Sequence, residues 1–278
     1  MHTCSLFKLT LYFIVMRFRI SFRILGESPF FLPVNYQSEF SVWIHKMLHF
    51  ESADFSAWLK GKGYTDASGE YRLYTFSDVL FGAHKHHEER LVVVQDHAEM
   101  LISFYADAQI EDFLRTIFEN QEFKIGVQKG KVAFRVEKFE KIPDPLIKQG
   151  KTTLLSCMSP MLISDGNLHE SRFLAPDEKG FDRAFIKSLL FKYANLVKFM
   201  SGEPGQGLPD LQDLRFKLTG KPKSKIVKIN TGSPHQKSVK GYLFDFKFEA
   251  PLELVKIGLY GGFGELNHLG FGCCDLKN

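Results

Sequence analysis

The chain has 278 residues, room for two domains of ordinary size, and its 44% apolar and 24% charged residues are the balance of a globular protein. Its 28 phenylalanines argue for packed strands and exclude a largely disordered chain. The formal charge of +4 is too small to name a partner, so the placement of charge matters more than its sum.

Leu6 to Val15 is a short apolar run interrupted by Lys8. No small-residue cleavage site follows it, and Arg17 and Arg19 arrive too soon for a membrane span. Met16 is expected to be the functional start, with residues 1–15 an extension outside the fold. The four cysteines, Cys4, Cys157, Cys273 and Cys274, form no C-x-x-C pair, which argues against a zinc ribbon. Adjacent strand residues point to opposite faces, so Cys273 and Cys274 are a poor disulfide pair, and a reducing, cytoplasmic setting is expected.

From Met16, Phe18, Ile20, Phe22 and Ile24 alternate with Arg17, Arg19, Ser21 and Arg23, which predicts a half-buried strand with three arginines on its open face. Phe40, Ile44, Met47 and Leu48 at steps of three and four predict a helix after Pro33. Strands are expected over 71–76, 91–94 and 100–105. A helix follows, with Asp107 as N-cap and Ile110, Phe113, Leu114, Ile117 and Phe118 as its apolar stripe. Residues 131–141 alternate again. This order, with a hairpin insertion, is the βαββαβ ferredoxin-like plan. The second half repeats it loosely: strand 153–158, helix 181–199, strands 211–229 and 240–248, short helix 250–259. The expected fold is α+β, two tandem ferredoxin-like domains over 16–145 and 146–278, divided at Pro143-Asp144-Pro145.

Three features carry chemistry. Between Leu214 and Phe244 stand Arg215, Lys217, Lys221, Lys223, Lys225, Lys228, Lys237 and Lys240, with no Asp or Glu. Lys221, Lys223 and Lys225 alternate onto one strand face, and an unmixed basic face suits a phosphate backbone. Arg17, Arg19, Arg23 and Lys131 are expected to extend it. His45 and His49, four apart, share the helix face opposite the apolar stripe, open to solvent or substrate. His84, His86 and His87 read as a polar hairpin tip between strands, and no metal or cofactor site is expected. The third feature is Gly261-Gly262-Phe263-Gly264-Glu265-Leu266-Asn267-His268-Leu269-Gly270-Phe271-Gly272, close to the chain end. Glycines permit positive φ and close approach to a phosphate, so Gly262, Gly264, Gly270 and Gly272 are candidate contacts, together with His268. No βαβ unit can follow there, which excludes a dinucleotide fingerprint.

The run GFGELNHLGFG resembles the C-terminal signature of the CRISPR-associated repeat-processing endoribonucleases, of the repeat-associated RNA-binding superfamily. Leu32 to Tyr36, Trp43 to Leu48, Phe55 to Leu59 with Gly63-Tyr64, Arg72 to Ser77, and Leu155-Ser156 through Ser159-Pro160 resemble its further motifs in order. Together they cover residues 16–278. The sequence departs from the pattern at Lys60, where a histidine is common, and at His45, where a tyrosine is. It departs again at Leu266, in place of a basic residue, and at His268, in place of a small polar one.

The resemblance implies metal-independent RNA cleavage, in which a ribose 2′-hydroxyl attacks the adjacent phosphorus to leave a 2′,3′-cyclic phosphate and a 5′-hydroxyl. Histidine suits the proton transfers and Lys or Arg the phosphate charge, which singles out His45, His49, Lys60 and Arg72. The implied partner is CRISPR repeat RNA (pre-crRNA), with other CRISPR effector subunits as further partners and no membrane. The alternative is a subunit that binds the RNA without cutting it. A generic RNA-recognition domain would carry the RNP aromatic pattern, which is missing from the sequence.

Overall fold

The computed structural model describes residues 14–50, 64–66, 69–71, 73–88, 90–106, 110–126, 130–147, 150, 152–166, 172–201, 213–229, 231 and 234–277. In the first half, β1 (Ile14–Leu25), β2 (Phe30–Pro33), α1 (Tyr36–Phe50), β3 (Tyr64–Asp66), β4 (Gly69–Tyr71), β5 (Tyr74–Phe76), β6 (His84–His87), β7 (Arg90–Val93), β8 (His97–Ala106), α2 (Glu111–Phe118), β9 (Glu122–Ile125) and β10 (Val132–Lys141) follow in order. The second half is β11 (Thr153–Cys157), α3 (Phe181–Ser201), β12 (Arg215–Ile229), β13 (Lys237–Glu249), α4 (Leu252–Gly261), a 3-10 turn (Asn267–Leu269) and β14 (Cys274–Leu276).

The result is a mixed α+β fold of antiparallel sheets. One sheet runs β5-β8-β1-β10-β9 and another β12-β13-β11-β14. Counting only the strands that flank the two long helix connections, both halves share one order: fourth, first, third, second. The apolar alternation of β1 explains the first core. Met16, Phe18, Ile20, Phe22 and Ile24 are buried under α1 and α2. Phe22 meets Phe40 and Trp43 edge-on at 5.5 and 5.9 Å, while Phe118 stacks on Phe139 at 5.1 Å. Each such ring stabilises the fold by about 1.5–3 kcal/mol. The second core gathers Phe185, Phe246, Phe248 and Phe263. Helix α4 lies against β8, β1 and β5, so the second half covers one end of the first sheet's open face.

Several expectations change. β1 begins at Ile14, because Ile14 and Val15 pair with Ala106 and Tyr105, and Val15 packs into the second core. Residues 71–76 are not one strand: Tyr71 ends β4 and Tyr74 begins β5. The Asp107 cap lies outside the described residues. His84–His87 form an exposed edge strand of a three-stranded sheet, β2-β7-β6, rather than a tip. Among the described residues no helix is long and apolar enough to cross a membrane.

Candidate functional site

The two halves meet along α1, and the glycine-rich segment fills the seam. Gln37 Nε2 donates to Gly270 O (2.6 Å), Ser41 Oγ to His268 O (3.3 Å) and Thr75 Oγ1 to Phe271 O (3.0 Å). Gln37, Ser41 and His45 stand four residues apart on one stripe of α1. The helix therefore runs along the loop, and the turn that carries His45 follows the one bonded to His268. His45 is half-buried, because its stripe is the docking stripe. The His49 side chain, Lys60 and Arg72 lie outside the described residues.

The glycines are packed closely against the protein itself. Gly262, Gly264, Gly270 and Gly272 are all buried with positive φ. A Cβ on Gly272 would lie 1.8 Å from Phe263 O, and one on Gly264 2.3 Å from Leu162 O. The Gly270 and Gly272 amides donate to Asn267 O and Pro160 O, leaving neither free for a phosphate. Inside the loop, Asn267 Nδ2 donates to Phe263 O and Phe271 O (both 2.9 Å). Lys192, fully buried on α3, donates to Gly262 O and Asn267 Oδ1 (both 2.5 Å). Burial, opposed by the nearby Glu265 and Cys274, pulls its ammonium down to about 7. Of the loop's candidate contacts only the half-buried His268 keeps surface.

The basic stretch becomes the hairpin β12–β13, kinked where the register shifts between Thr219 and Lys223. Arg215, Lys217, Lys221, Lys223 and Lys228 are exposed along β12, and Lys237 and Lys240 along β13. Lys225 is the exception. Its ammonium turns inward to Asp78 Oδ2 (2.7 Å) and lies 5.6 Å from the Tyr36 ring centre. Burial pushes the Asp78 carboxyl up, and Lys225 opposes this. Asn35 fixes the hairpin to the first half by bonding both Lys228 O and Lys228 N (both 2.7 Å).

The arginines of β1 do not extend this surface. Arg17 is buried beneath the second half, bonded to Ser103 Oγ (2.9 Å), Asp275 Oδ1 (2.7 Å), Leu259 O (2.9 Å) and Cys274 O (2.8 Å). Arg19 faces Glu99 at 3.7 Å, and Arg23 bonds Asp96 (2.6 Å) and Glu137 (2.9 Å). Gln37, Ser41 and Asn35, whose partners lie in the other half, and Lys192 and Asn267, which hold the loop from within the second half, escape a reading of the sequence, where nothing marks such polar side chains.

Residues 137–276 match a family described as CRISPR associated protein Cas6, C-terminal. The chain is 26% identical over 221 residues to the CRISPR-associated endoribonuclease-like protein Cas6nc of Pyrococcus horikoshii, covering 75% of this chain and 81% of that protein. Its fold is similar to the solved structure of a Cas6-related gene product from Pyrococcus furiosus, with TM-score 0.76 and 23% identity over 95% of this chain and 99% of that one. It is also similar to a RAMP protein binding different RNA substrates, with TM-score 0.71 and 23% identity over 95% and 100%.

Proposed function

Since this chain belongs to the Cas6 family of CRISPR repeat-processing proteins, we propose that it is a metal-independent endoribonuclease that cuts precursor crRNA within the repeat. The observation that carries this reading is the docking of α1 on the glycine-rich loop, with Ser41 bonded to His268 O one turn before His45. A half-buried histidine at the seam between the halves meets solvent on one side and rigid protein on the other, which suits a positioned proton carrier. His45 takes the proton of the 2′-hydroxyl. The oxygen attacks phosphorus, the 5′-oxygen leaves with a proton from a second donor, and a 2′,3′-cyclic phosphate remains. His49 or His268 supplies that second donor, and Lys60 and Arg72 neutralise the phosphate.

The matching strand orders of the halves support tandem ferredoxin-like domains, with the glycine-rich loop as the wedge between them. The RNA follows Arg215, Lys217, Lys221, Lys223 and Lys228 on β12, where no acid intervenes between Leu214 and Phe244. The RAMP neighbour is a protein that binds different RNA substrates.

The test is single-turnover cleavage of a labelled repeat RNA in EDTA. His45→Ala should slow cutting by about 10²–10⁴-fold while repeat affinity stays near that of the unsubstituted protein. A 2′-deoxy substitution before the cut should block it. Cleavage by His45→Ala at the unsubstituted rate would move the base to His49. Failure of the unsubstituted protein to cut a repeat that it binds would leave a binding subunit in place of an enzyme.

A further inference from the structure

Along the sequence the cysteines form no recognisable pair, yet the fold sets two of them face to face. Cys157 on β11 is directly opposite Cys274 on the antiparallel β14. Met158 N–H donates to Cys273 O (2.7 Å), and further along the ladder Lys277 N–H donates to Leu154 O (3.0 Å). This phasing makes Cys157–Cys274 a non-hydrogen-bonded pair, the closer of the two kinds, with Cα atoms about 4.5 Å apart. Disulfides span Cα separations of about 4.4–6.8 Å. The two Sγ atoms lie 3.9 Å apart. Cys273, the neighbour in sequence, alternates to the other face and cannot compete for Cys157 without moving the strand.

We propose that Cys157 and Cys274 are a modification site, a thiol pair that a small-molecule disulfide oxidises to an intramolecular cross-strand bridge. Cys157 is half-buried and Cys274 fully buried, so the oxidant meets Cys157 first. The Cys157 thiolate attacks one sulfur of the small disulfide and expels one small thiolate. The Cys274 thiolate then attacks Cys157 Sγ of the mixed disulfide and expels the second. The protein thiols lose two electrons and two protons, and the oxidant leaves as two thiols. Burial holds the Cys274 thiol well above its ordinary range, which makes the second step the slow one.

The bridge acts on the seam. β14 supplies Asp275 Oδ1 and Cys274 O to the buried Arg17, so a covalent tie to β11 fixes the strand on which that arginine depends. It also closes a loop of roughly 120 residues, long enough for a sizeable loss of entropy in the unfolded chain.

The experiment treats the full chain with hydroxyethyl disulfide, then uses intact mass, non-reducing peptide mapping and thermal unfolding. A species two mass units lighter should form, with the peptides of Cys157 and Cys274 linked. Its melting temperature should rise by about 5–10 °C and fall back on addition of dithiothreitol. Cys273→Ser should behave in the same way, while Cys157→Ser should neither lose the two units nor gain stability. Prolonged treatment that leaves the mass unchanged or stops at a mixed disulfide, a link that involves Cys273 or Cys4 instead, or a bridged form no more stable than the reduced one would overturn the proposal.

Discussion

Two strand surfaces of this molecule carry alternating cations, and they differ in what lies across from each charge. On β1, Arg17 meets Asp275, Arg19 meets Glu99, and Arg23 meets Asp96 and Glu137. On β12, Lys223 and Lys228 stand opposite Leu243 and Ser238, and Lys221 lies in the register shift, while Arg215 faces Glu249 at 4.0 Å and Lys225 turns inward to Asp78. The same alternation in sequence thus produces a neutralised sheet on one side and an open basic hairpin on the other. The difference arises because neighbouring strands, not the strand itself, supply the counter-charges. Positive potential available to a phosphate is therefore greater along the hairpin than along β1.

The largest effect is expected at Arg17. It is buried with four oxygen partners, whereas Arg19 on the same face is about half exposed. Arg17→Met should lower unfolding stability by about 3–5 kcal/mol, because Asp275 and two carbonyls are left without their donor under the second half. Urea titration measures this. A loss no larger than that of Arg19→Met would mean that the seam does not depend on this residue.

Lys192, the other buried cation of the seam, adds a pH test. In the folded protein its ammonium titrates at about 7, below its ordinary 10.5. Between those limits the unfolded chain holds a proton that the folded chain has released. Stability should therefore rise with pH from about 7 toward 10.5, by at most about 1.4 kcal/mol per pH unit, and the increment is absent below 7. Lys192→Met should remove that slope. An unchanged profile by urea titration at several pH values would show that the ammonium stays charged against Gly262 O and Asn267 Oδ1.

Much of this organisation is legible along the chain. The alternation at Phe18, Ile20, Phe22 and Ile24 and the stripe at Phe40, Ile44 and Leu48 foretell strand, helix and core, since these residues report a local periodicity. Arg17 is not legible. It looks the same as Arg19 in a strand pattern, and its burial is decided by Leu259, Cys274 and Asp275, which stand 242, 257 and 258 positions away. The glycine-rich segment is visible as a special backbone, but not as an internal wedge, because glycine marks close approach without saying to what. Of the site, His45 emerges from its helix and the family resemblance. Its docking partners Gln37 and Ser41 are ordinary polar residues until the loop packs against them.

A smaller effect is expected from the hairpin. Lys221→Ala, Lys223→Ala and Lys228→Ala together should flatten the salt dependence of repeat-RNA binding by roughly 0.7 for each phosphate no longer neutralised, about two units in all if each lysine serves one phosphate. Folding should be little changed, since all three are exposed. Lys225→Ala should do the reverse: it leaves the half-buried Asp78 without its cation, and so lowers stability more than it alters the salt slope. Filter binding across a salt series, with urea titrations of both variants, separates the two outcomes. Equal salt slopes for the triple variant and the unsubstituted protein would take the hairpin off the RNA path.

The smallest effect is expected where β1 meets solvent. Arg23 makes two short ion pairs, to Asp96 at 2.6 Å and Glu137 at 2.9 Å, yet all three groups are substantially exposed. Exposed pairs gain little, because water already solvates each charge and holding long side chains in one geometry costs entropy. Arg19 and Glu99 are in the same position at 3.7 Å. The double variant Arg19→Gln, Arg23→Gln should therefore leave the urea midpoint nearly unmoved. Its repeat-RNA affinity should stay within about twofold of the original and its salt slope should be unchanged, since arginines matched to acids release few counterions from RNA. This is the control that gives the lysine result its meaning. It removes two formal charges from the protein without touching the hairpin, so a response to net charge alone would appear in both variants. If the arginine variant weakens RNA binding as steeply as the lysine variant, the contrast between the two surfaces fails. The RNA would then lie across both sheets.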